Sequence, residues 1–426
     1  EKTIREKARE MKLASPHMAA VPEKTRNAAL EAIAGALMTN KAAIMEENAK
    51  DMKAAEEKGI SAPVMKRLRF DDAKLADVLS GIKSLIGHPD PLNRQLLKRE
   101  LDSDLLLVKE SCPIGVIGVI FEARPDAMVQ VSTLCVKSGN CVILKGGSEA
   151  KLTNRKLFSV IRDAAVSAGL PESAMMLAET HDDIDQLLGC NDSIDLLIPS
   201  GSNEVVQHIM NNTKIPVMGH ADGICHIYVD SSADIEKAVR IITDAKTQYV
   251  AACNAAETLL VHRDIAGKLM PALAESFEKN HVTLRGTADI ADIVSCEPAD
   301  ERDFATEYLD YIISAKTVDS IDEAIEHINK YGSHHTDAII TEDADAAAKF
   351  MQLVDSAGVY QNCSTRFADG FRYGFGAEVG ISTGKLPARG PVGLDGLVTY
   401  KYKIFGNGNI VGDYADGTRK FNFKDL

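Results

Sequence analysis

The chain has 426 residues, with 48 Lys and Arg against 62 Asp and Glu, so its formal charge is −14. Hydrophobic residues make up 45% and charged residues 26%, which excludes a disordered or collagen-like chain. Its acidity disfavours broad nucleic-acid binding, and no apolar run approaches the roughly 20 residues that span a bilayer.

The first ~90 residues read as helices, rich in Ala, Glu, Lys and Met, with Ala29, Ile33, Ala36 and Leu37 at helical spacing. Pro89–Pro91 breaks this region, and Leu105–Val108 reads as a short strand. Strands and helices then alternate. Val116–Phe121, Cys141–Leu144, Ile194–Ile198 and Ile227–Val229 are apolar strands. Asp126–Lys137, Glu149–Ala168, Ser202–Met210 and Asp234–Lys246 are helices. After Cys253 the alternation restarts, with strands at Leu259–Val261, Tyr308–Ser314, Ala338–Ile340 and Gly358–Gln361. The helices between them are Ile265–Lys279, Ser320–Lys330 and Ala344–Val354. Such alternation implies an α/β fold with mostly parallel sheets covered on both faces. The Gly- and Arg-rich stretch Phe367–Gly396 leads to Val398–Phe405, an alternating strand able to pair with another chain.

The eight cysteines are scattered and contain no C-x-x-C pair, so free thiols in a reducing compartment are expected, and no metal site. Cys253 stands out because it lies on a loop between the two α/β blocks, where an exposed thiol can be activated. For any single cysteine a buried structural role is the commoner one. Lys145-Gly146-Gly147-Ser148 and Ser200-Gly201-Ser202 each join a strand end to a helix start and can cradle phosphates, although a capped glycine turn explains either alone. In Tyr331-Gly-Ser-His334-His335-Thr-Asp337, adjacent histidines of an extended segment point to opposite faces, so structural hydrogen bonding is expected. Arg124, Arg366, Arg372 and Arg389 are candidates for holding an anion, against a default of solvated arginines.

Several of these segments together resemble the aldehyde dehydrogenase superfamily: Pro113–Ile120, Val142–Lys145, Ser200–Ser202 and Cys253. Within it, Glu122-Ala-Arg-Pro-Asp126, Gly219–His226, Cys253-Asn-Ala-Ala-Glu-Thr258 and the run from Val318 to Ile339 are similar to the gamma-glutamyl phosphate reductases. The resemblance implies a Rossmann-type cofactor domain over residues 1–247 with a small β oligomerisation arm at 101–112. A catalytic domain follows over 248–385, and 386–426 returns to the cofactor domain and ends in an oligomerisation strand. It implies reduction of L-glutamyl 5-phosphate by NADPH through a thioester on Cys253, in the cytoplasm. The substrate would be delivered from glutamate 5-kinase, and the protein would be a homodimer or homotetramer. Asn254, Arg124, His220 and Arg389 are the implied oxyanion or substrate residues. Lys145, Ser200, Gly201, Ser202 and Glu307 are the implied cofactor residues. Hydrolytic members of the superfamily carry a Glu general base where this chain has Met218-Gly-His-Ala-Asp222. The alternative, another dehydrogenase of the superfamily that oxidises a different aldehyde with water, is thereby disfavoured, and a non-catalytic scaffold is disfavoured by the presence of Cys253, Lys145 and Glu307 together.

Overall fold

The computed structural model describes residues 2–426, and the chain divides into two compact units. The first unit runs to Met218 and includes Phe375–Gly380 and Val392–Leu426; the second holds Gly219–Gly374 and Ile381–Pro391.

In the first unit five helices precede β1 (Gln95–Asp102) and β2 (Leu105–Pro113), an antiparallel hairpin. The chain then builds β3 (Val116–Ile120), β4 (Cys141–Lys145), β5 (Met175–Ala178) and β6 (Leu196–Pro199). These four form a parallel sheet of order β5-β4-β3-β6. β3 and β4 are buried at every position, as expected of strands with helices on both faces. The parallel register brings the carboxyl ends of β3, β4 and β6 to one edge, the side of such a sheet where ligands bind.

The second unit contains β7 (Cys225–Val229), β8 (Ala256–His262), β9 (Thr283–Gly286), β10 (Glu297–Pro298), β11 (Ile312–Val318), β12 (Thr336–Ile340) and β13 (Gly358–Gln361). They form one seven-stranded sheet of order β10-β9-β11-β8-β7-β12-β13. Alternation along the strands divides its core into two layers. Ile227, Val229, Leu259 and Val261 pack with Ala238 and Ile242 of one helix and Leu269 and Leu273 of another. On the opposite face Tyr228, Leu260 and Ile339 pack with Ile325, Ile328 and Phe350. The chain crosses between units at β14 (Gly380–Ser382) and β15 (Gly390–Val392). It returns as β16 (Val398–Phe405) and ends in β17 (Lys424–Asp425), which complete an antiparallel sheet of order β16-β2-β1-β17 in the first unit.

The division departs from the expected domain limits at 247/248 and 385/386. The reason is strand pairing: β7 is hydrogen-bonded between β8 and β12, and the helix Ile235–Thr247 packs into the same core, so Gly219–Thr247 belongs with Cys253. The hairpin also begins earlier than the expected arm, at Gln95, because β1 is a half-buried, charged strand without a long apolar run. The strand expected at Tyr308–Ser314 lies at Ile312–Val318, since Leu309 takes a left-handed φ of 53° and turns the chain first. No helix among the described residues is long and apolar enough to cross a membrane.

Candidate active site

Cys253 lies in the loop between the helix Ile235–Thr247 and β8, and is half-buried. The loop is tied at its base by a fully buried ion pair. Lys246 Nζ, in the last turn of the helix, donates to Glu257 Oε2 at 2.9 Å, near the start of β8. Burial pushes both groups toward their neutral forms, Glu257 up and Lys246 down. The Cys253 backbone is pressed against Gly223, where a Cβ would sit 2.1 Å from the Cys253 carbonyl oxygen and 2.6 Å from its Cα. Only glycine fits there. The Cys225 thiol also donates to that carbonyl, at 3.3 Å.

β12 brings the decisive partner. His335 Nε2 lies 3.2 Å from Cys253 Sγ, and its Nδ1 is 2.9 Å from Thr336 Oγ1. Burial, and secondarily His220, lower His335 to about 3, so the ring is neutral at physiological pH. Nε2 is the ring nitrogen that faces the sulfur, and Nδ1 faces the Thr336 hydroxyl, which can donate or accept. The residues two before and two after His335 brace the same region. Ser333 Oγ accepts from Ile224 N at 2.8 Å, and Asp337 Oδ1 accepts from His226 N at 2.7 Å. One strand end therefore pins the approach to β7 and the thiol together. His335 was expected to be structural. His334 adopts a φ of +60°, so the backbone is not extended there and the alternation behind that expectation does not hold.

The other candidates sort by unit. His220 stacks edge-to-face on His335, with ring centroids 5.1 Å apart, and its Nδ1 faces the Ile381 carbonyl at 3.0 Å. Its pKa is lowered by burial. Asn254 is buried, donates to the Ala368 carbonyl at 2.8 Å and accepts from Arg366 Nη1. Arg366 is itself buried and also donates to Gln248 Oε1 at 2.9 Å, so it locks both sides of the Cys253 loop. Arg389 lies 3.7 Å from Asp355, while its Nε and Nη2 find no hydrogen-bond partner among the described residues. Glu307 is half-buried in the second unit, next to Tyr308, whose N–H donates to Glu257 at 3.3 Å.

Lys145, Ser200, Gly201, Ser202 and Arg124 belong to the first unit. Lys145 ends β4, is 6% exposed, and its Nζ donates to the Gly146 carbonyl at 2.9 Å. Burial lowers its pKa. Beyond it, Gly146, Gly147, Ser148, Lys151, Asn154 and Glu179 line a cleft. Asn154 Oδ1 is buried there without a hydrogen-bond partner among the described residues, and a Cβ on Gly146 would lie 2.2 Å from Asn154 Nδ2. A glycine turn, a serine and Lys151 beside an unmatched acceptor are the kinds of group that hold the phosphates and hydroxyls of a nucleotide. Arg124 instead pairs with Asp126 at 3.0 Å and is exposed.

The aldehyde dehydrogenase family model matches residues 1–310. A gamma-glutamyl phosphate reductase of Ruminiclostridium cellulolyticum is 56% identical over 414 residues, 97% of this chain and 96% of the relative. That of Acetivibrio thermocellus is 55% identical over 424 residues, 100% of this chain and 98% of the relative. The chain belongs to the gamma-glutamyl phosphate reductase family, within the aldehyde dehydrogenases. The crystal structure of the Thermotoga maritima gamma-glutamyl phosphate reductase matches with a TM-score of 0.94 at 38% identity, covering 96% of this chain and 100% of that one. Membership makes the chain an oxidoreductase with the aldehyde dehydrogenase-like α/β fold, and a nicotinamide cofactor accords with the cleft beside Lys145.

Proposed function

We propose that this chain reduces L-glutamyl 5-phosphate with NADPH to L-glutamate 5-semialdehyde and phosphate, through a thioester on Cys253. The observation that carries the reading is the 3.2 Å contact between Cys253 Sγ and Nε2 of His335, which accepts the thiol proton in the tautomer protonated at Nδ1. His335 takes the thiol proton as sulfur attacks the acyl carbon. The carbon–oxygen bond to phosphate breaks and phosphate leaves, giving the thioester. A histidine held neutral is a weak base alone, but an arriving anionic acyl phosphate favours its protonated form, so the proton moves when substrate is present. Bound NADPH supplies the hydride that takes the thioester carbonyl to the aldehyde level. Sulfur then leaves as thiolate and recovers its proton from His335. The backbone N–H of Cys253, with Asn254 beside it, is the donor set proposed for the oxyanion.

Lys145 with Ser200, Gly201 and Ser202 is proposed to hold the adenosine and pyrophosphate end, and Glu307 the nicotinamide ribose. Lys151 in the cleft favours a 2′-phosphate, and Glu179 is offset by Arg155 at 2.8 Å. Arg389, whose buried Nε has no hydrogen-bond partner among the described residues, is the proposed holder of a substrate anion, with His220 beside it in the substrate set of that unit. The absence of a Glu base at Met218–Asp222 protects the thioester from water. An acyl phosphate is labile, which supports delivery from glutamate 5-kinase in the cytoplasm. The exposed edge strand β16, carrying Tyr400, Tyr402 and Ile404, supports a homodimer or homotetramer.

The test runs the reaction backwards. Glutamate 5-semialdehyde, NADP⁺ and phosphate are expected to give NADPH only when phosphate is present, and Cys253→Ala is expected to abolish this while keeping cofactor binding. Turnover of aldehydes without phosphate would overturn the proposal.

A further inference from the structure

Cys253 Sγ, one ring nitrogen of His220 and one of His335 all lie within 4.8 Å of one another. The three residues belong to the second unit and come from three separate stretches of chain. The Cys253–His335 contact is accounted for by thiol activation. The third member has a proposed place beside the substrate, but proton transfer within the pair does not need a second imidazole at the same point.

The hydrogen bonds define what that imidazole presents. A carbonyl oxygen only accepts, so His220 Nδ1, 3.0 Å from the Ile381 oxygen, carries the ring proton and Nε2 carries the lone pair. His335 likewise presents Nε2 to the sulfur, with its Nδ1 against Thr336 Oγ1. Two neutral imidazoles, each anchored through Nδ1 to an oxygen, are the outer-sphere pattern that orients metal-binding histidines. A thiolate with two imidazoles is a borderline-soft donor set without carboxylate, which selects zinc and its neighbours over magnesium or calcium. A tetrahedral zinc with Zn–S of ~2.3 Å and Zn–N of ~2.0 Å needs ligand atoms roughly 3.3–3.6 Å apart. The 3.2 Å pair is close to this, and the third atom is within side-chain adjustment. Three protein ligands leave the fourth position to water, as in open zinc sites.

We propose that Cys253, His220 and His335 form a site for a single zinc-class divalent cation, whose binding silences the thiol reversibly. Coordination releases the thiol proton to solvent and forms a metal–sulfur bond, so bound metal and acyl transfer exclude one another. The site goes beyond the reductase reading, since its existence does not depend on which acyl phosphate the enzyme takes.

Cobalt(II), added anaerobically to the metal-free full chain without thiol reductant, is the probe. One equivalent is expected to give sulfur-to-cobalt charge-transfer absorption, which zinc then displaces. Cys253→Ser is expected to remove the band, and His220→Asn to weaken cobalt binding by about tenfold or more. No band, a band that survives Cys253→Ser, or binding unchanged in a folded His220→Asn variant would overturn the proposal. A readout on the unmodified chain guards against misfolded variants: one equivalent of zinc is expected to slow iodoacetamide labelling of Cys253 at least tenfold, and an unchanged rate overturns the site. If the phosphate-dependence assay fails while the cobalt band appears, the reductase reading falls and the metal site stands.

Discussion

The histidine at the thiol sets the pH behaviour of the reaction. His335 is held at about 3 by burial, so it stays an unprotonated acceptor through the working range. Activity that depends on it is expected to be flat between about pH 6 and 8. In His335→Asn the thiol has no base within reach and must lose its proton to solvent, so kcat/KM is expected to climb with pH, by up to tenfold per unit. At pH 7 the loss is expected to be on the order of 10²–10⁴-fold. A pH–rate profile of both proteins checks this, and parallel profiles would remove His335 from the proton path. Lys145 acts on a different observable: Lys145→Ala is expected to raise KM for NADPH while Cys253 alkylation stays at the parent rate, measured side by side.

At the scale of elements, the loop carrying Cys253 is held by what packs around it. Lys246 and Glu257 close its base with no exposure, and Glu257 Oε1 has no hydrogen-bond partner among the described residues. Lys246→Met leaves a buried carboxyl without its cation, a loss of about 3–5 kcal/mol. Lys246→Met with Glu257→Leu removes both charges and is expected to recover most of it. Calorimetry on the two variants distinguishes a paired charge from a packing effect, since packing loss alone predicts no recovery. Gly223 constrains the loop from the other side. Gly223→Ala places a methyl group against the Cys253 carbonyl, where only backbone can yield. It is expected to lower kcat strongly while circular dichroism stays native, because the displaced atom is the nucleophile's own.

At the scale of the whole molecule, what was legible in the sequence depended on how local the cause was. β3, β4 and β8 are apolar runs flanked by helices, and both their existence and their parallel arrangement follow from that pattern. β1 was not legible, because a half-buried hairpin strand such as Gln95–Asp102 has no fully buried face to impose alternation. β9, four residues long, shows too little of any period to be read. The boundary near Met218 was hidden because the partners that claim β7, namely β8 and β12, come later in the chain. The thiol was singled out by its loop, but its histidine was not: the Cys253–His335 contact spans 82 positions and exists only once β12 is in the sheet. The spacing of Ser333, His335 and Asp337 was on view throughout. Its meaning required the three partners, Ile224, Cys253 and His226.

Burial of these same groups also sets how the molecule responds to acid. His327 and His335 are both lowered to about 3 by burial, and His220 is lowered in the same way. Above the unfolded value of about 6.5 these rings are neutral in both states and contribute fully to stability. As pH falls below 6.5 the unfolded chain takes protons that the folded one refuses, so stability is lost at about 1.4 kcal/mol per pH unit for each histidine, down to about 3. Glu257 acts in the opposite sense. Its folded value is raised to about 7, so between about 7 and 4.5 the folded state takes a proton first and gains from acid. Two strongly shifted histidines outweigh one carboxyl, and a net loss of about 1.4 kcal/mol per pH unit is expected between pH 6 and 4.5, with His220 adding to it. His327 isolates the effect because it lies outside the thiol site, in the helix Ile321–Tyr331 against the rings of Phe304 and Tyr331. His327→Gln is expected to flatten the acid slope by about 1.4 kcal/mol per pH unit and to leave the slope above pH 7 unchanged. Thermal unfolding of parent and variant at pH 8, 6 and 5 measures both slopes, and parallel slopes below pH 6 would mean that His327 is already protonated in the folded protein.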